Sequence, residues 1–228
     1  IMKEMNVDAT KAGFMVSSAL FGMMFGAIFL GTIADKIGRR WAIAICIALF
    51  SVFTALAGLT KDPVWFSATR FLAGLGIGGV MPNVVAQMTE YSPKKIRATM
   101  VTLMFSGYAV GGMLAAVLGK QFIEAYGWQS VFFAAGLPVL LIPFIMKSMP
   151  ESMPFLLKQG RHDELKVIVE RLQPGFRPTA SDHFALPSED KADDATIGHL
   201  FHEGRGFSTV MFWVAFFMCL FMVYALSS

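Results

Sequence analysis

The sequence predicts an all-α, polytopic membrane protein with about six visible spans, and three observations carry that prediction. Only 15% of the 228 residues are charged while 55% are hydrophobic, whereas a soluble domain carries about a quarter charged residues. Uncharged runs lie at 12–34, 41–60, 71–89, 98–119, 125–146 and 206–228, each close to the roughly 20 residues that cross a hydrocarbon core of about 30 Å. The charges collect in the stretches between those runs. A soluble α-protein is set aside, since six such helices would need a core larger than this chain can build. The small net charge of +3 and the lack of a basic stripe interleaved with aromatics exclude nucleic acid as a partner. Cys46 and Cys219 both fall inside predicted spans, so no disulfide framework is expected.

Residues 1–8 show no basic segment followed by an apolar core and a cleavage site, so no secretory signal is expected. The first run leads into "GTIADKIGRR", residues 31–40, six of whose ten positions are glycine or charged. The loop after the first run carries Lys36, Arg39 and Arg40, and the loop after the third carries Lys94, Lys95 and Arg97. The alternating loops hold only Lys61 and Lys120. By the positive-inside rule the two basic loops are cytoplasmic, and Trp41, Trp65 and Trp128 lie near span ends, where aromatic belts form. Residues 1–149 are expected to form an N-terminal transmembrane bundle. Residues 150–205 are expected to form a polar cytoplasmic loop, with an amphipathic helix in "HDELKVIVERL" and a flexible linker over 174–195. Residues 206–228 read as the first span of a second bundle. The chain starts without an initiator methionine and stops at the end of an apolar run, so a fragment truncated at both ends is expected. His199 and His202 lie three apart without a convincing third ligand, and no metal site is assigned.

Within the spans, glycines fall in GxxxG pairs: Gly22 with Gly26, Gly74 with Gly78, and Gly107 with Gly111. Small residues mark helix contacts in lipid, where association relies on close packing. "RFLAGLGIGGVMPN" holds more glycine than packing alone requires, plus Pro82, which suits a helix that bends or rocks. Arg70 sits about two turns from the outer end of that span. A charge at such depth needs a partner or a wet cavity; the preferred reading is a guanidinium facing a carboxylate, and the bland one is snorkelling to headgroups. Asn83, Gln87, Ser106 and Tyr108 either line a cavity or cross-link helices by hydrogen bonds.

"GTIADKIGRR" resembles the signature loop of the major facilitator superfamily, G-x-x-x-D-(R/K)-x-G-(R/K)-(R/K), with every specified position filled. "RFLAGLGIGG" is similar to that superfamily's fourth-helix motif, and "PESMPFLL" to the PESPxxL element that closes the N-terminal bundle in sugar and organic-acid members. "GVMPNVVAQMTEYSPKKIRATMVTLMFSGYAVGGMLAA" resembles the aromatic acid:proton symporters, benzoate and hydroxybenzoate permeases among them. The resemblance makes the visible spans helices two to seven of a major facilitator helical bundle. It implies a multi-pass protein of the bacterial inner membrane, a monomer, that takes up a small aromatic carboxylate together with protons and needs no cofactor beyond the coupling ion. The continuation without proline in "GYAVGGMLAA" agrees with symport, since antiporters carry a Gly-Pro motif there.

Such transporters rock two bundles about a central site. On that reading Gly31, Asp35, Lys36, Gly38, Arg39, Arg40, Glu90 and Arg97 form a cytoplasmic gate. Gly31 and Gly38 permit close approach, Asp35 faces a helix N-terminus of the other bundle, and Arg39 and Arg40 meet acids such as Glu90. Arg70 binds the carboxylate or tunes an acid, and phenylalanine-rich walls hold the ring. No Asp or Glu lies inside a visible span, so the resemblance places the coupling acid in the absent first helix. Rival readings are a sugar, sialate or drug-exporting transporter, a membrane sensor, or a membrane enzyme. The last lacks intramembrane catalytic groups.

Overall fold

A computed structural model of the chain describes Met5, residues 7–172 and residues 206–227. These residues are helical, with no strand among them. They fall into two compact units, Ile1–Phe184 and Ala185–Ser228. The first holds α1 (Ala9–Ile37), α2 (Arg39–Leu59), α3 (Pro63–Tyr91), α4 (Arg97–Tyr126), α5 (Gln129–Ala134), a 3-10 turn (Leu137–Leu141), α6 (Ile142–Ser148), α7 (Met153–Lys158) and α8 (His162–Leu172). The second holds α9 (Gly206–Ser227), 22 residues at the position of the sixth uncharged run. Five stretches of the first unit are long and apolar enough to cross a membrane: α1 to α4 and Gln129–Ser148.

The breaks between helices follow from local chemistry. Gly38 adopts φ 95°, a backbone region that L side chains avoid, and separates α1 from α2. The Asp62 side chain accepts from Val64 N at 2.7 Å and Pro63 opens the first turn, so α3 starts with a capped N-terminus. Ser92 turns extended before Pro93 and ends it. Gly127, at φ 82°, ends α4. The fifth span is not the single helix the uncharged run suggests. Pro138 and Pro143 lack amide hydrogens, and the segment passes through the 3-10 turn between α5 and α6.

Helix α3 lies between α1 and α2, and its glycines are divided between those neighbours. A methyl group at Gly22 would run into the Phe71 carbonyl, one at Gly26 into Leu75, one at Gly74 into the Ala19 carbonyl, and one at Gly78 into Met23. The two GxxxG pairs thus face each other across the α1–α3 crossing. Gly76, on the side towards α2, lies against Cys46 and Phe50, and Gly79 lies between Cys46 of α2 and Leu30 of α1. The surplus glycines of "RFLAGLGIGG" therefore have packing roles on two sides of one helix.

Gly107 and Gly111 differ. No atom lies within 4 Å of the methyl position at either one, and no residue of α4 is buried. The expected contact through this third pair is absent among the described residues of the first unit, because none of that unit's helices covers that face of α4. Trp41 and Trp65 are exposed, as belt residues would be, but Trp128 is buried in an aromatic cluster with Phe66 and Phe132. Past Ser148 the chain stays docked: Glu151, Ser152, Phe155, Leu156 and Leu165 are all buried. The start of the expected loop thus belongs to the bundle's packing, and "HDELKVIVERL" forms α8, with Leu165 buried. The linker at 174–195 and the His199–His202 pair lie outside the described residues.

Candidate functional site

The end of the bundle that carries "GTIADKIGRR" gathers most of the expected gate residues. Arg39 Nε donates to Glu90 Oε1 at 2.8 Å, with the two side chains only 21% and 14% exposed. Arg39 also lies 3.7 Å from Asp35, whose side chain is 65% exposed. The half-buried Arg39–Glu90 pair is the costlier one to break, because removing one partner strands a partly desolvated charge. Glu90→Gln is therefore expected to lower the stability of the full-length protein by about 1–3 kcal/mol, while Asp35→Asn costs less than about 0.5 kcal/mol. Thermal unfolding of both variants checks this; equal shifts would remove the distinction.

Other gate candidates are placed differently. Arg40 does not meet Glu90. Its guanidinium Nη1 donates to Met146 O at 3.4 Å, and its Nε is buried without a partner. Arg97 and Lys36 are exposed, and Glu90's described ion pair is with Arg39 rather than Arg97. Gly31 lies in ordinary contact with Pro82, 3.7 Å from a methyl at that position, so its size is not critical in this arrangement.

The centre of the cluster is Glu151, a residue of "PESMPFLL" for which the sequence suggests no role of its own. Glu151, 4% exposed, accepts at Oε1 from the backbone amide of Arg40 at 3.1 Å and from that of Ser152 at 3.0 Å. It caps the first turn of α2 from 111 positions away, where the local cap position is Gly38 and supplies no side chain. A methyl at Gly38 would come within 2.6 Å of Glu151 Oε2, so Gly38 provides both the turn and the seat. Tyr91 donates its hydroxyl to the Glu151 carbonyl at 2.6 Å, and Gln87 Nε2 donates to the Pro150 carbonyl at 2.9 Å. Asn83, fully buried, donates to Gly79 O at 2.8 Å and Leu30 O at 3.4 Å. Asn83 and Gln87 therefore cross-link elements. Ser106 donates only within its own helix, to Leu103 O at 2.6 Å, and Tyr108 is 77% exposed on the uncovered face of α4. The signal that could have pointed to Glu151 is an acid between two prolines, just beyond the fifth span and at the arginine-rich end.

Arg70 lies towards the other end of α3, half-buried, with its guanidinium carbon 5.9 Å from the centre of the Phe132 ring. The sequence offered a carboxylate or a headgroup as its partner. The structure supplies an aromatic face, a contact worth about 0.5–2 kcal/mol depending on desolvation. No group of three or more metal-ligating side chains occurs among the described residues.

Residues 3–227 match the model of the sugar (and other) transporter family. The chain belongs to that family. Among solved structures it is similar to the major facilitator proton:xylose symporter XylE, with a TM-score of 0.64 and 20% identity over 75% of this chain and 42% of that one; XylE is an Escherichia coli protein. The fold of this family member is accordingly that of the major facilitator bundle. All of the chain aligns, at 47% identity, with 50% of a benzoate transport protein of Acinetobacter baylyi. All of it aligns at 32% identity with 51% of the 4-hydroxybenzoate transporter PcaK of the same organism. The chain thus spans about half the length of the curated relatives it matches.

Proposed function

We propose that the protein containing this chain takes up an aromatic carboxylate such as benzoate or a hydroxybenzoate by proton symport across the bacterial inner membrane. The 47% identity with a benzoate transport protein, maintained over the whole chain, carries this reading. The Arg39–Glu90–Asp35 group and the Glu151 cap act as the gate at the basic end. Ion pairs and caps at the end of a bundle can be made and broken as two halves rock, and close-packed glycines let α1 and α3 move as one body.

Arg70 holds the substrate carboxylate in this reading, and the Phe132 face keeps the guanidinium extended and desolvated, which strengthens a charged hydrogen bond. The test is uptake of labelled benzoate and 4-hydroxybenzoate into vesicles containing the full-length protein, with and without an uncoupler. Uptake is expected to collapse with the uncoupler, to fall by about tenfold or more in Arg70→Ala, and to fall less in Phe132→Leu. Uptake that survives Arg70→Ala would leave symport standing and reduce Arg70 to packing on Phe132. Uptake of a sugar in place of either acid would overturn the substrate assignment.

A further inference from the structure

Two cavities meet where α2, α3 and α6 reach the basic end. The outer one, about 360 Å³, is lined by Arg40, Lys147 and Arg171 together with Tyr91, Met149 and Pro150. The inner one, about 540 Å³, shares Tyr91, Met149 and Pro150 and continues between Ile43, Ile47, Val84 and Ile145. We infer that together they bind one anionic phospholipid, with its phosphate among the three cations and an acyl chain in the apolar groove.

Charge comes first. Glu164 and Glu151 also line the outer cavity, which therefore carries three cations against two carboxylates. Glu164 is paired with Arg161, while Glu151 Oε1 accepts from two backbone amides, which hold the carboxylate in place without cancelling its charge, so the cations stay in excess. Among the described residues Arg40, Lys147 and Arg171 form no ion pair, and Arg40 Nε is buried without an acceptor. An excess of cations beside the ends of two membrane spans attracts an anionic headgroup by about 1 kcal/mol per cation, so losing two lowers affinity by about tenfold or more.

Depth comes second. Lys147 and Arg40 stand at the ends of Gln129–Ser148 and Arg39–Leu59, the level at which headgroups lie. Along α3 the groove runs from Tyr91 to Val80, about 16 Å at 1.5 Å per residue. That matches one leaflet, half of a core of about 30 Å. A soluble anion would use the outer cavity and leave the groove empty; a neutral lipid would use the groove and leave the cations unpaired.

The test is native mass spectrometry of the full-length protein in detergent with phosphatidylglycerol, phosphatidylcholine of the same chains, and glycerol phosphate. Wild type should retain phosphatidylglycerol about tenfold over phosphatidylcholine and should not retain glycerol phosphate. The Lys147→Gln/Arg171→Gln double variant should lose that preference. Val84→Trp, which fills the groove, should lower retention of both lipids. Lys94→Gln/Lys95→Gln, which removes basic loop residues outside both cavities, should behave as wild type. Equal loss in the two double variants would show diffuse attraction instead of a site and overturn the inference. Retained preference in Lys147→Gln/Arg171→Gln, undiminished lipid retention in Val84→Trp, or binding of glycerol phosphate in place of lipid would overturn it as well.

Discussion

Gly22→Ala and Gly74→Ala are each expected to destabilise the full-length protein by about 1–3 kcal/mol, seen as a lower midpoint in thermal unfolding. The sign is the informative part. Alanine in a helix interior is ordinarily better than glycine by about 1 kcal/mol, so any loss measures the collision across α1 and α3. At both positions the added methyl meets a backbone carbonyl of the facing helix, which cannot swing aside as a side chain would. The double variant should cost less than the sum of the singles, because helices already pushed apart by one methyl accommodate the second. Gly107→Ala and Gly111→Ala, with open space at the methyl position, should be neutral or stabilising by up to about 1 kcal/mol in the same measurement. Equal losses at all four positions would show that α4 is covered by a packing partner as close as the one between α1 and α3.

Glu151→Ala is expected to cost about 2–4 kcal/mol, since it leaves the amides of Arg40 and Ser152 buried without an acceptor. Glu151→Gln keeps an acceptor oxygen and loses only the charge facing the positive end of α2, an effect of about 1 kcal/mol. Hydrogen exchange at Arg40 and Trp41 should quicken far more in the alanine variant than in the glutamine one. Gly38→Ala is expected to be comparably severe, combining strain at φ 95°, worth about 1–3 kcal/mol, with collision against the Glu151 carboxylate. Combining Gly38→Ala with Glu151→Ala separates the two terms, because truncating Glu151 removes the collision and leaves the strain. A strictly additive double variant would show that the carboxylate is not seated against Gly38.

Much of the architecture is legible in the chain itself. Charge-free runs of bilayer length, the excess of arginine and lysine in alternate loops, and "GTIADKIGRR" are enough to name the spans and the expected gate. The Arg39–Glu90 pair is within reach too, because both residues sit at span ends carrying opposite charge near the same surface. Arg70 stands out as an anomaly, but its aromatic neighbour does not, since a ring 62 positions away carries no mark of its partner.

Spans, the sidedness of charge and the identity of the polar clusters are properties of single segments, fixed by composition against a bilayer some 30 Å thick, and the sequence by itself determined them. Which face of each segment meets which neighbour is decided only when helices pack. That is why three GxxxG pairs look alike in the chain, yet two interlock across α1 and α3 while the third faces open space. It is also why Glu151, one letter of a motif in the chain, proves to cap a helix whose first turn lies 111 residues earlier. An orphaned backbone amide accepts any carboxylate that the fold brings within reach, and only tertiary structure supplies that proximity.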